Sequence, residues 1–373
     1  MAFVTLTHFL SAFRTSLAKV EQSDGFAVSE LKVEVPAILS QKGLEVLLEV
    51  PNPEAGVTPD PAYLARLTMS FSALPPGAEL TGPGGAPVDP WKALYSGTTE
   101  SLYGIHARSS GDVYAVGKLG VLLWSPDGET FGPASDATGQ RLHAVWGSGA
   151  GELCAVGGNG LVLRCPKPGG AWVPIASNTN VSLNGIAGSG SGLVYAVGDA
   201  GTILQSTTSG TAWQPLPVPS KSYPLHAVWA SSHGHAYVVG GAGTLLYKTD
   251  NGFQSTPSGT SRDLFGVWGS GPNDVYVVGA GGKILHSTDG MQWTAQTSGT
   301  TENLYAVWGS GPGDVYAVGR GGTILHTSDG GTTWKLQKSG TTEALHAISG
   351  TGPGEVWIAG AAGTLLRRTS AAA

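Results

Sequence analysis

The stretch Leu304-Tyr305-Ala306-Val307-Trp308, Gly309-Ser310-Gly311-Pro312-Gly313-Asp314, Val315-Tyr316-Ala317-Val318-Gly319, Arg320-Gly321-Gly322, Thr323-Ile324-Leu325-His326 decides the fold. Runs rich in β-branched and aromatic residues alternate in it with clusters of Gly, Pro, Ser and Asp. After Ser328-Asp329-Gly330-Gly331 a further short run starts near Trp334. The whole reads as four short strands joined by tight turns, with no helical period.

The same unit recurs along the chain. Tyr316 to Gly319 has near-copies at Tyr114 to Gly117, Cys154 to Gly157, Tyr195 to Gly198, Tyr237 to Gly240, Tyr276 to Gly279 and Trp357 to Gly360. The spacing, about 40 residues, is the length of one four-stranded propeller blade. Seven copies predict a mainly β fold, a seven-bladed β-propeller. The innermost strand starts at Leu102, Leu142, Leu183, Leu225, Leu264, Leu304 and Leu345, each followed two residues later by Ala or Gly. Blades converge on the axis there, so a small residue is needed. The 58 glycines in 373 residues therefore read as turn geometry and close packing.

Ring closure is also written in the sequence. The last repeat ends on its third strand, Thr364 to Arg367, and lacks an outer one. Ahead of the first full repeat, Trp91 to Glu100 closely matches Trp334 to Glu343. This N-terminal segment is expected to be the outer strand of the last blade, leaving no open edge.

The domains follow: residues 91–373 are the propeller, 75–90 a Pro/Gly linker, and 1–74 a small α+β module. Phe3, Leu6, Leu10, Phe13, Leu17 and Val20 have helical spacing. Three runs, at Leu31 to Val35, Leu44 to Val50 and Ala65 to Phe71, alternate apolar with polar as strands of a three-stranded antiparallel sheet do. So small a unit gains from a partner surface, and it is expected to serve docking or oligomerisation. His8, Ser11 and Arg14 interrupt the apolar start, so a cleaved secretion signal is not expected. The expected location is cytoplasmic, or exported without such a signal.

No apolar run is long enough to span a membrane. A formal charge of -6 with 12% charged residues argues against a nucleic-acid partner. Cys154 takes the slot that Tyr or Trp fills in the other repeats. It reads as a small buried hydrophobe rather than as half of a disulfide with Cys165.

The turn between third and fourth strands resembles the Asp-box of bacterial sialidases and of photosystem II assembly-factor propellers. Thr327-Ser328-Asp329-Gly330-Gly331-Thr332-Thr333-Trp334 and Ser287-Thr288-Asp289-Gly290-Met291-Gln292-Trp293 carry it best. Weaker copies stand at Asp127 and Asp250. By this resemblance Asp127, Asp250, Asp289 and Asp329 hold turn backbone, and Trp293 and Trp334 pack beneath. The whole repeat is most similar to the assembly-factor branch, which implies a non-enzymatic ring that holds a protein client. The sialidase set of converging arginines on a six-bladed ring is not matched.

Two repeat positions remain. Asp112, Glu152, Asp274, Asp314 and Glu355 close Gly-rich turns between first and second strands. At the opposite end, the second inner-strand position holds Tyr103, His143, Asn184, His226, Phe265, Tyr305 and His346, and the next turn starts with Lys118, Asp199 and Arg320 in three blades. Rings beside a few charges at a channel mouth suit a binding platform; filling space between blades is the alternative. No catalytic residue, metal site or cofactor is expected. The favoured function is protein binding or scaffolding, with the client a protein or larger assembly and the module serving self-association or attachment to a larger assembly. A carbohydrate-binding lectin is the alternative, using Trp146, Trp229, Trp268 and Trp308, and a glycosidase or lyase comes third.

Overall fold

The computed structural model describes residues 44–47, 66–69 and 91–368, apart from 136–137, 150, 190–191, 220–222 and 232–233. The chain divides into two units, Met1–Val88 and Asp89–Ala373. In the second, seven four-stranded antiparallel sheets follow one another, each a meander from innermost to outermost strand. Inner strands of successive blades lie side by side all the way round, including Leu345–Gly352 of the last against Leu102–Ala107 of the first. This is the seven-bladed propeller the repeats predict.

Blade 6 shows the plan: Leu304–Gly311, Asp314–Gly319, Ile324–Thr327 and Lys335–Gln337. The second strand is covered on both faces by neighbouring blades, and Val315 to Gly319 are all buried. That is why its sequence is a continuous apolar run and not an alternating one. The ring closes as expected, with Trp91–Leu94 pairing antiparallel to Leu365–Arg368 in the register Trp91 opposite Arg368. Trp91 Nε1 donates to Gln337 Oε1 at 2.8 Å, repeating the Trp334 Nε1 to Gln296 Oε1 bond of 2.9 Å one seam earlier. Glu129 of blade 1 ties the closing blade down, taking Arg367 at 2.5 Å and Lys92 at 2.7 Å.

The seams between blades are matched large to small. Trp146, Trp229, Trp268 and Trp308 lie against Gly188, Gly269, Gly309 and Gly350 of the next blade, where any side chain would run into the indole. His106 meets Gly147 in the same way. Where the ring is missing, so is the glycine. Ala187 shares its apolar cluster with Ala230, and Ser349 Oγ accepts the Ala107 amide at 3.0 Å. These tryptophans are half-buried, with an indole edge set against the next blade.

A second aromatic belt lies further out. Trp91, Trp172, Phe253, Trp293 and Trp334 each set an edge on the second-strand tyrosine of the preceding blade, with centroids 5.6–6.3 Å apart. Blade 2 has Cys154 at that position, and Trp213 packs there instead. Cys154 and Cys165 are free and buried, and burial pushes the Cys154 thiol up to about 12.

Of the first unit, strands Leu44–Leu47 and Arg66–Met69 are described, paired antiparallel with Leu44 opposite Met69 and Val46 opposite Leu67. They fall within two of the three expected strand runs. The expected helix, the run from Leu31 to Val35 and the linker 75–90 lie outside the described residues. No described helix is long and apolar enough to cross a membrane.

Candidate functional site

Every inner strand is bulged at its second residue. In blade 6 Leu304 pairs with Gly319 and Ala306 with Val318, so Tyr305 is an extra residue without a partner in the ladder. Tyr103, His143, Asn184, His226, Phe265 and His346 are the extra residues of the other six blades. The glycine ending the second strand causes this. A Cβ on Gly319 would overlap the Asn303 carbonyl, and the Arg320 amide donates to that same carbonyl at 2.9 Å. The chain approaches this closely in all seven blades, and the inner strand takes up the slack as a bulge, which re-aims one side chain.

The seven re-aimed side chains form a half-buried collar at one end of the channel. Six are rings in sequence: His143 meets Tyr103 at 6.3 Å, Tyr103 meets His346 at 5.3 Å, and His346 meets Tyr305 at 5.6 Å. Tyr305 then meets Phe265 at 5.7 Å, and Phe265 meets His226 at 5.4 Å. Asn184 fills the gap between His226 and His143. Burial pushes the His143, His226 and His346 imidazoles below their ordinary value, so at neutral pH the collar is uncharged.

Charged groups stand around this collar. Lys118, Asp199 and Arg320 each open the one-turn 3-10 segment that follows the second strand. Lys118 pairs with Glu100 at 2.9 Å, and exposed Arg320 stands 3.9 Å from Glu302. Asp199 Oδ1 accepts from Asn184 Nδ2 at 2.9 Å. The two sets read from the sequence thus share one end of the ring. Arg141, which the sequence reading did not single out, lays its guanidinium over the Tyr103 ring at 5.3 Å. Leu119 was also missed: it is exposed beside Lys118 at φ 56°, a left-handed conformation rare for a bulky residue. Only its place beside Lys118 in a repeated mouth turn could have flagged it.

The opposite end of the blades is structural. Ser310 Oγ donates to Asp314 Oδ2 at 2.5 Å, and Asp314 Oδ1 meets His326 Nε2 at 2.6 Å. Ser270, Asp274 and His286 repeat this arrangement one blade earlier. In both the carboxylate lies between serine and histidine, whereas nucleophile activation needs the histidine in the middle. Each imidazole also stacks on the neighbouring tyrosine, at 4.0 Å for Tyr276 and 4.2 Å for Tyr316. These acidic residues close turns and orient third-strand side chains.

The Asp-centred turns at the periphery organise backbone. Asp329 Oδ1 accepts the Thr333 amide at 2.9 Å and Thr327 Oγ1 at 2.7 Å, and the Thr333 amide first among these donors holds its carboxyl down at about 2. Asp289 takes the Met291 and Gln292 amides at 2.8 and 2.7 Å, and Asp127 takes those of Glu129 and Thr130 at 2.9 Å each. Asp250 departs from this group. Strand pairing runs up to Thr249 opposite Gly252, and Thr249 Oγ1 closes the turn on the Gly252 carbonyl at 2.9 Å. Among the described residues no amide of this two-residue hairpin donates to the Asp250 carboxylate, and the side chain is exposed.

A family profile described as the DUF6242 beta propeller domain matches residues 267–345. No curated protein matches the sequence. Among solved structures the chain is similar to YCF48 from Cyanidioschyzon merolae, with TM-score 0.62 and 21% identity over 75% of this chain and 98% of that one. It is similar to YCF48 bound to D1 peptide, with TM-score 0.64 and 22% identity over 76% and 97%. A virginiamycin B lyase from Staphylococcus aureus gives TM-score 0.66 and 16% identity over 74% and 98%. At these identities the likeness establishes the propeller fold.

Proposed function

We propose that this protein is a non-enzymatic binding ring that holds an extended segment of a client protein at the collar mouth. The observation that carries the reading is the bulge. Six of the seven repeats spend their one re-aimed side chain on an unbroken run of aromatic and imidazole faces, from His143 round to His226, rather than on packing within a blade. Such faces offer contact area at low entropic cost, and the surrounding Lys118, Asp199, Arg320 and Arg141 supply polar anchors. The structural likeness to YCF48, one copy of which was solved with a bound peptide, supports a peptide client. We also read the Asp-centred turns as Asp-boxes, which makes them fold elements of this ring.

The enzyme and lectin readings have less behind them. Lyase and glycosidase propellers share the fold. Here the mouth carboxylates Glu100, Glu302, Asp199 and Asp263 each already hold a cation, an amide or a backbone N–H. The repeated tryptophans are half-buried, each with an indole edge packed into a seam. Residues 1–74 we assign to docking or self-association, with 75–90 as the linker that displays the ring.

The test is hydrogen exchange of the full chain with and without a peptide selected from a random display library. Protection is expected at the inner-strand starts and at the 3-10 turns beginning with Lys118, Asp199 and Arg320. Protection confined to the Asp314-side loops or the outer strands would overturn the site. Failure of any peptide to bind while a glycan panel does would favour the lectin.

A further inference from the structure

Within the collar one sector differs from the rest. His143, Asn184 and His226 belong to blades 2, 3 and 4, and Asn184 is the only member of the collar that is not a ring. Hydrogen-bond bookkeeping fixes what this sector has left to offer. His143 Nδ1 lies 2.9 Å from the Leu183 carbonyl, which can only accept, so Nδ1 carries the proton. The imidazole is held neutral by burial, and its Nε2 is therefore a lone-pair acceptor. Asn184 Nδ2 spends both of its hydrogens, one on Asp199 Oδ1 at 2.9 Å and one on the Leu225 carbonyl at 3.0 Å. Both partners are oxygens, which fixes the amide orientation and leaves Asn184 Oδ1 as an acceptor. Asp199 keeps its second carboxylate oxygen and makes no salt bridge among the described residues.

Three side chains bordering this notch of the collar thus keep acceptors unspent: an imidazole nitrogen, an amide oxygen and a carboxylate oxygen, with Asp199 close enough to act electrostatically on both His143 and His226. Arg141, the nearby cation, lies over the Tyr103 ring on the blade 1 side of the notch and makes no salt bridge with Asp199 among the described residues. The collar continues on one flank through Tyr103, which meets His143, and on the other through Phe265, which meets His226, so the notch is bordered by aromatic faces.

We infer that this notch is the specificity element of the mouth and takes a lysine or arginine side chain of the bound segment. An ammonium or guanidinium brings donors only, as the three acceptors require, and its charge suits both Asp199 and the ring faces. The inference rests on the collar being a peptide site and adds the chemistry that site selects. The charged and titratable groups around the notch are Arg141, Asp199, His143, His226 of blade 4, and Asp263 at the entry to blade 5. Protonation of His143 replaces its lone pair with a donor and adds a like charge, so capture of a cation weakens in acid.

Selection from a random decapeptide display library on the full chain tests this. The expected result is enrichment of lysine or arginine at one position of the recovered peptides. Replacing that residue by norleucine in the best peptide should weaken binding at least tenfold. Asp199→Asn should weaken the parent peptide to a similar extent and leave the norleucine peptide unchanged. Peptides that bind the collar with no enriched cation, or with an enriched acidic residue, overturn the notch and leave the peptide site standing. Equal affinity of the parent peptide for native and Asp199→Asn protein, with melting temperatures matched, overturns it too. Recovery of no peptide at all sinks the peptide site and the notch together.

Discussion

The seams between blades and the mouth of the channel are built from the same repeat, yet they treat its seven copies differently. At the seams the residue is nearly fixed: the inner strand starts on buried Leu in every blade, and the second strand ends on Gly in every blade. Where the seam ring is lost, its neighbour changes with it, as Ala187 with Ala230 and Ser349 with Ala107, and where His106 stands for Trp the glycine stays. At the mouth, the bulge residue is Tyr, His, Asn or Phe, and the turn beside it opens with Lys, Gly, Asp, Ala or Arg. The physical difference is the number of neighbours that constrain a side chain. A seam residue fills a space bounded on both sides by other blades, where one extra carbon is felt. A bulge residue faces the open channel and needs only to reach the next ring. The fold therefore leaves the collar free to be composed for a ligand.

Breaking the seams should cost far more than altering the mouth. The largest effect is expected from the closing strand. Removing residues 1–88 should leave a ring that melts cooperatively. Removing 1–100 takes away Trp91–Leu94 and exposes the edge of Leu365–Arg368, and that protein should aggregate. Equal solubility and thermal stability of the two would show that closure is not needed.

Next in size is Gly319→Ala. Its Cβ would overlap the Asn303 carbonyl, backbone that cannot step aside, at an expected cost of about 3 kcal/mol in chemical denaturation. A loss below about 1 kcal/mol would mean that the close approach behind the bulge can relax.

A pH effect of up to similar size is expected from the seam residue His106, whose imidazole burial, with Arg108 beside it, pushes down to about 4. The unfolded chain takes up a proton near pH 6.5, and the folded protein resists until about pH 4. Stability is therefore complete above pH 6.5 and falls as pH drops to about 4, by as much as about 3 kcal/mol. Tryptophan occupies this position in four other blades over the same glycine, so His106→Trp should fold and flatten the dependence. An unchanged pH profile in that variant would place the titrating group elsewhere.

How much of this was legible in the sequence follows the same division. The blade count, the small residues near the axis and the closing strand could be read because each is a constraint repeated seven times or matched across the chain. The turn at Asp250 was misjudged because a Thr-Asp-Asn-Gly string serves equally as a two-residue hairpin, and only the register tells them apart. The positions of Tyr305 and its six counterparts were legible, but their bulged geometry was not. A bulge is a mismatch between two strands, and neither strand carries it alone. The contact of Arg141 with Tyr103 and the lock between Asn184 and Asp199 join residues from turns whose side-chain directions depend on that bulge. The pairing of Trp308 with Gly350 was present as a covariation among repeats, recognisable once blade order is known.

The contrast between fixed seams and a composed mouth is tested most directly by Tyr305→Ala combined with Arg320→Ala in the full chain. The measurement is affinity for a selected peptide alongside the melting temperature. Tyr305 is half-buried and Arg320 exposed, and neither fills a seam. The account predicts at least tenfold weaker binding with the melting temperature within a few degrees of the native value, since aromatic and arginine anchors commonly contribute about 2 kcal/mol at an interface centre. Unchanged affinity in a protein that still melts as the native one does would contradict it.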